Sequence, residues 1–536
     1  MNAGKIIDLL VVGGGVNGAG IARDAVGRGL SVLLCEQDDL AAHTSSASTK
    51  LIHGGLRYLE HYEFSLVRKA LQEREVLLRL APHIISPLRF VMPHVSSLRP
   101  AWMIRAGLFL YDHLSKREIL PGSRGIDFRT HVSGAPLKKS LKRGFVYSDA
   151  AVQDARLVVL NAMDARERGA TIMTKTRLIA ATQGQQHWDA TLQSTLDGAT
   201  TQVQARCVVN AAGPWVGSLL SGALNTSARH HIRLVKGSHI VTRRLFEHDH
   251  AYIFQNPDKR IVFAIPYEDD FTAIGTTDVE YNGDPTKVTI SAEETAYLCE
   301  SVNRYFDIPV SPSQVVWSWS GVRPLLEEEV ANPSAVTRDY RLDLTDEKDL
   351  APVLSVFGGK ITTYRRLAEE AMEKLQPLFS YMKTEDWTSH APLPGGDIED
   401  ADFARFLKQF QQRCPWLPAA TAKRYAHAYG TRVDTLLEGI HDIAGLGHLF
   451  GADLYEIEVR YLIQEEWALT AEDIIWRRSK LGLRLDSTEI GLLSTWLEMQ
   501  TRMQTRTQTR AQNRTQKQTQ NNSSTGDSQS DRVEII

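Results

Sequence analysis

Ile6-Ile7-Asp8-Leu9-Leu10-Val11-Val12 runs into Gly13-Gly14-Gly15-Val16-Asn17-Gly18; after a helical stretch a second apolar run, Leu30 to Cys35, closes on Glu36. That order is strand, glycine turn, helix, strand, acid. Gly13 makes the tight turn, Gly15 lets a pyrophosphate approach the backbone, and Gly18 lets helix and strand pack closely. The helix N-terminus offers N–H groups without intrahelical partners and the positive end of a dipole, both suited to phosphate. Glu36 falls where a carboxylate accepts hydrogen bonds from an adenosine ribose. The spacing predicts a dinucleotide-binding βαβ unit at the start of the chain.

NAD and FAD both satisfy such a unit, and the next segment favours FAD. A nicotinamide domain would run on through regular strand–helix repeats. Here residues 39–57 read DLAAHTSSASTKLIHGGLR. Thr44, Ser45 and Ser46 are hydroxyls suited to phosphate and ribityl oxygens, and Gly54-Gly55 lets the chain run beside an extended ligand. Two later apolar strands end in small residues, CVVNAAGPW over 207–215 with Gly213, and LSVFGGKITT over 354–363 with Gly359, Lys360 and Thr362. At the second, glycines and a helix N-terminus are placed to face the charge that develops on a reduced flavin. Three separated segments around one FAD is the reading.

The strings TSSASTKLIHGGLRYLEHYEF, RPAWMIRAGLFLYDHL, IRLVKGSHIV, AIGTTDVEY, SGVRPL, TRDY and SVFGGKITTYRRLAEEA occur in that order between about residues 5 and 495. By them the chain resembles the aerobic, FAD-dependent glycerol-3-phosphate dehydrogenases, within the D-amino-acid-oxidase-like flavoproteins. The resemblance implies an α/β fold: a Rossmann-type FAD-binding domain, an inserted antiparallel β-sheet substrate domain and an α-helical C-terminal domain. It also implies non-covalent FAD, since no His or Cys stands in an obvious linkage motif. The substrate implied is sn-glycerol 3-phosphate, oxidised to dihydroxyacetone phosphate.

Composition sets compatible bounds. A chain of 536 residues holds two or three domains. A formal charge of −3 gives no global pull toward nucleic acid, and none is expected as a partner. The four cysteines are far apart, without a CxxC pair, and read as buried free thiols of a reducing compartment. The N-terminus reads as strand rather than signal peptide, and no apolar stretch reaches the length of a bilayer span. A cytoplasmic protein is expected; a homodimer is left open.

The domains are read as interleaved. FAD-binding pieces cover 1–80, 145–235 and 350–378, with a connecting region over 81–144. A substrate sheet fills 236–349, where HIVTRRL, AYIFQN, RIVFAIPY, FTAIGTTDV and VVWSWSGV are short β-type runs. Helices follow over 397–500, with Thr470-Ala-Glu-Asp473 as a capping box. From about Thr501 the sequence turns to Thr, Gln and Arg repeats too poor in apolar residues to fold, so 501–536 is expected to be disordered.

Oxidising a secondary alcohol needs a hydride acceptor and a base for the hydroxyl proton, and the phosphate needs cationic forks. Arg57, Arg323 and Arg338 are the candidate forks. By resemblance, these with Tyr58 grip the substrate, and Thr276 is placed to bond a substrate hydroxyl. His239 in KGSHIV is the leading base because histidine titrates near neutrality. Lys360 is the rival base, or else a cation that stabilises the reduced ring, the role favoured here.

The resemblance also implies that electrons pass to a membrane quinone, ubiquinone or menaquinone; oxygen as acceptor, as in a glycerol-3-phosphate oxidase, stays open. Residues 98–114, LRPAWMIRAGLFLYDHL, mix bulky apolar residues, Trp102 and Tyr111 with Arg99 and Arg105, and Arg117 follows. Such a helix suits the headgroup plane or packs on the FAD domain. The resemblance favours peripheral attachment to the inner face of the cell membrane.

Overall fold

The computed structural model describes residues 5–95, 99–226, 230–326 and 339–500. Arg338 and the tail 501–536 lie outside the described residues.

The opening apolar run forms the strand Ile7–Val12, which pairs in parallel with Val32–Cys35 on one side and Thr200–Asn210 on the other. The sheet runs Arg341–Thr345, Val353–Phe357, Thr200–Asn210, Ile7–Val12, Val32–Cys35, Thr171–Met173; the strands Thr176–Gln183 and Trp188–Ser194 pair with each other, and the latter with Thr200–Asn210. All pairs along the path are parallel except the first. Alternation along the central strand explains its near-continuous hydrophobicity. Leu9 and Val11 join a core with the helices Val16–Gly27, Asp154–Glu167 and Tyr364–Leu375. Leu10 and Val12 join another with Trp188, Leu192 and Leu220. With both faces covered, the free ends of these strands are the place left for a ligand.

A second sheet, of ten strands among the described residues, carries the five strands expected of the substrate domain: Ile232–Arg243, Ala251–Gln255, Ile261–Tyr267, Phe271–Gly275 and Val315–Leu326. It extends further than the sequence suggested. Ile85–Pro93 and Arg143–Val152 pair along their length, and Ile85–Pro93 joins Ala251–Gln255 in parallel. Thus parts of the 81–144 connecting region and of the FAD pieces build the same sheet. Only a non-local pairing assigns them there.

The C-terminal helices Phe403–Arg413, Ala419–Tyr429 and Glu456–Glu466 pack around their own core of Phe410, Tyr425 and Leu462. The capping box forms: Asp473 N–H donates to Thr470 Oγ1 at 3.2 Å, and Thr470 N–H donates to Asp473 Oδ2 at 2.8 Å. The turn that follows, Asp473–Arg478, is π-helical. Among the described residues no helix is long and apolar enough to cross a membrane.

Candidate active site

A cavity of about 620 Å3 opens where the strand ends of the first sheet meet the second sheet. Register places Val12 beside Cys35 and Asn210, so Gly13, Glu36 and Ala211 emerge side by side at its floor. Gly13 has φ +114°, and a Cβ there would stand 2.5 Å from Ala211 O. A Cβ on Gly18 would stand 1.9 Å from Gly13 O, so Gly18 serves helix–turn packing and does not line the cavity. Gly15 begins the helix Val16–Gly27 without a side-chain cap. One of the first N–H groups is taken, since Val16 N–H donates to Ser45 Oγ at 3.0 Å; the positive helix end still points at the cavity.

Glu36 accepts from Gly14 N–H at 2.6 Å and Asp38 N–H at 2.8 Å. Burial pushes its carboxyl up, against the pull of those two amides. Its position at the adenosine end fits a ribose, whose hydroxyls would meet lone pairs the amides leave over. Thr44 and Ser45 line the cavity; Ser46 turns away and donates to His43 O at 3.2 Å. On the far side, Gly213 (φ +54°) and Gly359 (φ +104°) line it. Thr362, also lining, accepts from His53 N–H at 3.2 Å and so ties this loop to the residue that follows the strand Leu51–Ile52. A cavity lined by a glycine turn, a helix N-terminus and the cations Lys360 and Arg323 fits FAD.

The expected glycine pair lies elsewhere. Gly54 and Gly55 do not line the cavity. Gly54 N–H donates to Tyr111 Oη at 2.9 Å, and a Cβ on Gly54 would press into Leu71 and Tyr111. Gly55 (φ +73°) turns the chain so that Tyr58 lies against it. Arg57 is half-buried and likewise outside the cavity, whereas Tyr58 lines it. The hydroxyl of Tyr111 also donates to Asp149 Oδ1 at 2.7 Å, so Tyr111 is a core residue and not the interfacial aromatic the sequence suggested.

At the substrate end, Arg323 donates to Thr276 Oγ1 at 3.0 Å and pairs with Asp278. Gly237 makes room for this, because a Cβ there would stand 2.4 Å from the Arg323 guanidinium. Lys360 Nζ lies 4.0 Å from the centroid of the Tyr58 ring. His239 is 2% exposed, with Nε2 3.1 Å from Thr49 Oγ1. Burial first, then the charges of Arg323 and Lys50, hold His239 well below the ordinary imidazole range. The ring is therefore neutral near pH 7, the form that accepts a proton. Thus His239, Lys360, Arg323, Thr276 and Tyr58 converge on one cavity. Sequence reasoning missed Thr49, Asp278 and Asn17, whose amide donates to Gly358 O at 3.1 Å. The small-residue run around Thr49 and the TTD string were the signals available.

A largely parallel sheet covered on both faces and ending in a glycine floor, under a second sheet carrying a histidine and an arginine, defines a flavin-dependent oxidoreductase. The chain belongs to the FAD-dependent oxidoreductase family, whose model matches residues 8–338, and within it to the glycerol-3-phosphate dehydrogenases. Residues 387–498 match the C-terminal domain of alpha-glycerophosphate oxidase. It is 56% identical over 496 residues to "Glycerol-3-phosphate dehydrogenase" of Pseudomonas aeruginosa, covering 92% of this chain and 96% of that one. It is also 50% identical to "D-erythritol 1-phosphate dehydrogenase" of Brucella abortus, covering 92% and 97%. A crystal structure of glycerol-3-phosphate dehydrogenase from Bacillus halodurans, complexed with FAD, superposes with a TM-score of 0.72 at 27% identity, covering 94% and 90%. FAD is the cofactor of this family.

Proposed function

We propose that this chain oxidises sn-glycerol 3-phosphate to dihydroxyacetone phosphate and passes the electrons to a membrane quinone. The observation that carries the reading is the convergence of Arg323, Thr276 and neutral His239 on the cavity that fits FAD. Bound FAD supplies the two-electron acceptor for the hydride from carbon 2. The Arg323 fork takes the substrate phosphate, and Arg338 is assigned to the same phosphate by the family resemblance. Thr276 orients a hydroxyl. His239 Nε2, the ring nitrogen beside the cavity-lining Thr49, takes the hydroxyl proton as the hydride leaves. Lys360 stays charged and stabilises the reduced state, and the ring of Tyr58 holds its ammonium in place.

Attachment to the inner face of the cell membrane rests on the helix Ala101–His113. Only Leu108 and Tyr111 on it are buried, while Trp102 is 70% and Phe109 57% exposed. An apolar face turned outward, with exposed Arg105 on the same helix, suits a headgroup layer.

The deciding experiment is a visible spectrum of the holoenzyme under nitrogen. Glycerol 3-phosphate is expected to bleach the flavin band, glycerol to leave it, and a quinone analogue to restore it faster than air does. Colour that persists with glycerol 3-phosphate refutes the reading, and bleaching by D-erythritol 1-phosphate alone moves the substrate to a four-carbon phosphate.

A further inference from the structure

Among the described residues none of the helical C-terminal domain lines the cavity described above, yet one of its turns reaches two segments that do. Trp476, Arg477 and Arg478 are consecutive in the π-helical turn Asp473–Arg478. Such π-turns recur at functional sites.

Arg477 and Arg478 go to Asp39, which is 1% exposed. Arg477 Nε donates to it at 2.6 Å, and Arg478 Nη1 and Nη2 each donate at 2.8 Å. Asp39 begins the 39–49 segment that supplies Thr44, Ser45 and Thr49 to the cavity wall. Arg478 also donates to Glu466 O at 2.6 Å, which fixes the guanidinium from the domain side.

Trp476 goes the other way, into a ladder of rings. It stacks on Trp317 with centroids 4.2 Å apart and planes 6° apart. Trp317 meets Trp319 at 5.2 Å, and Trp319 lies flat on His239 at 4.7 Å and 7°. The ladder follows from strand register. Trp317 and Trp319 stand on one face of Val315–Leu326, directly opposite Val241 and His239. On the other flank His239 faces Gly275, where a Cβ would stand 2.0 Å from the imidazole. Trp319 is itself pinned: its Nε1–H donates to Ser48 O at 3.1 Å, and Lys50 Nζ lies 4.8 Å from its ring centroid. His239 Nδ1 is buried and has no hydrogen-bond partner among the described residues, so the imidazole plane is held by one contact to Thr49 and by the stack.

We propose that the turn Trp476–Arg477–Arg478 makes the C-terminal domain a positioning element for oxidation, setting the plane of His239 through Trp317 and Trp319 and the Thr49 segment through Asp39. The inference rests on His239 being the proton acceptor. The charged groups facing His239 are Arg323 and Lys50, and neither belongs to the ladder's outer rings.

The test uses the full-length holoenzyme with Trp319→Leu, Trp319→Phe, Trp476→Leu and the Trp319→Leu/Trp476→Leu pair. Anaerobic flavin reduction by glycerol 3-phosphate is followed by stopped flow from pH 5.5 to 9, with FAD content measured in each sample. Trp319→Leu is expected to slow the limiting reduction rate about 10- to 100-fold, as small misplacements of a reacting group do, with KM changed less than about threefold. Trp319→Phe keeps a ring and returns most of the rate. Trp476→Leu, at a residue that does not line the cavity, slows reduction about 3- to 10-fold, and the double variant loses little more than Trp319→Leu alone, because both act along one path.

Reduction at the wild-type rate and pH profile in FAD-replete Trp319→Leu and Trp476→Leu overturns the proposal. So does a loss that tracks FAD content alone, or losses that multiply in the pair. Should Trp319→Leu not fold, Trp319→Phe and Trp476→Leu carry the decision. Failure of the function reading is seen separately, as a wild-type enzyme that glycerol 3-phosphate does not reduce. The ladder is then read from NMR of histidine-labelled holoenzyme, where Trp476→Leu shifts the His239 ring resonances if the stack holds the ring and leaves them unmoved if it does not.

Discussion

Arg323→Ala tests the phosphate grip directly. Arg323 is paired with Asp278, so the fork that meets the substrate is already half-neutralised by a carboxylate that is 11% exposed. Removing the guanidinium does two things. It deletes charge-assisted hydrogen bonds to the phosphate, worth about 1.5–3 kcal/mol together, and it removes the Arg323 charge that offsets the Asp278 carboxylate beside an incoming dianion. The combined cost is about 2–4 kcal/mol, which converts to a fall of roughly 30- to 900-fold in kcat/KM for flavin reduction. The second contribution is separable, because Arg323→Ala/Asp278→Asn removes the repulsion and is expected to return about 1 kcal/mol, roughly fivefold. Activity toward unphosphorylated glycerol, however weak, should change far less. The assay is anaerobic stopped-flow reduction of the holoenzyme at several substrate concentrations and two ionic strengths. A single variant within threefold of wild type refutes the reasoning, and so does a double variant no better than the single, since both place the phosphate at Arg323.

Two further outcomes follow from geometry already described. His83 is 1% exposed, neither ring nitrogen has a hydrogen-bond partner among the described residues, and burial with nearby Arg156 and His427 lowers its pKa to about 3. The unfolded chain takes up that proton near 6.5 and the folded chain does not, so this stability is present above about pH 6.5 and is lost as pH falls toward 3. By pH 5 the loss is about 2 kcal/mol. Thermal melts of the holoenzyme at pH 7 and 5 should show a smaller drop for His83→Leu than for wild type, and equal drops contradict the assignment. On the membrane side, Trp102→Ser/Phe109→Ser should release the protein from sedimenting vesicles of anionic lipid while anaerobic reduction by glycerol 3-phosphate stays at the wild-type rate; undiminished sedimentation argues that the helix is not the anchor.

Much of the first sheet was legible because its information is local. The run 6–36 contains strand, turn, helix, strand and acid in one stretch, and the structure places Val12, Cys35 and their successors side by side. The five strands of the insert were legible for the same reason, as was the cap of Thr470 and Asp473. What escaped was non-local. Ile85–Pro93 and Arg143–Val152 belong to the second sheet only through their pairing with each other and with Ala251–Gln255. Gly54 and Gly55 looked like ligand glycines, but the close neighbours they admit are Leu71, Tyr111 and Tyr58. Tyr111, read as an interfacial ring, is committed to Asp149. Trp319 showed as one more aromatic in a strand, and its stack on His239 exists only once the two strands are in register.

The cavity wall draws on Gly13 near the beginning of the chain and on Thr362 well past its middle. During synthesis, a growing polypeptide that has not yet emerged as far as Thr362 lacks one side of the cofactor's berth, however well its early βαβ unit has formed. Completion of the berth therefore waits on synthesis past Thr362, well beyond the first βαβ unit.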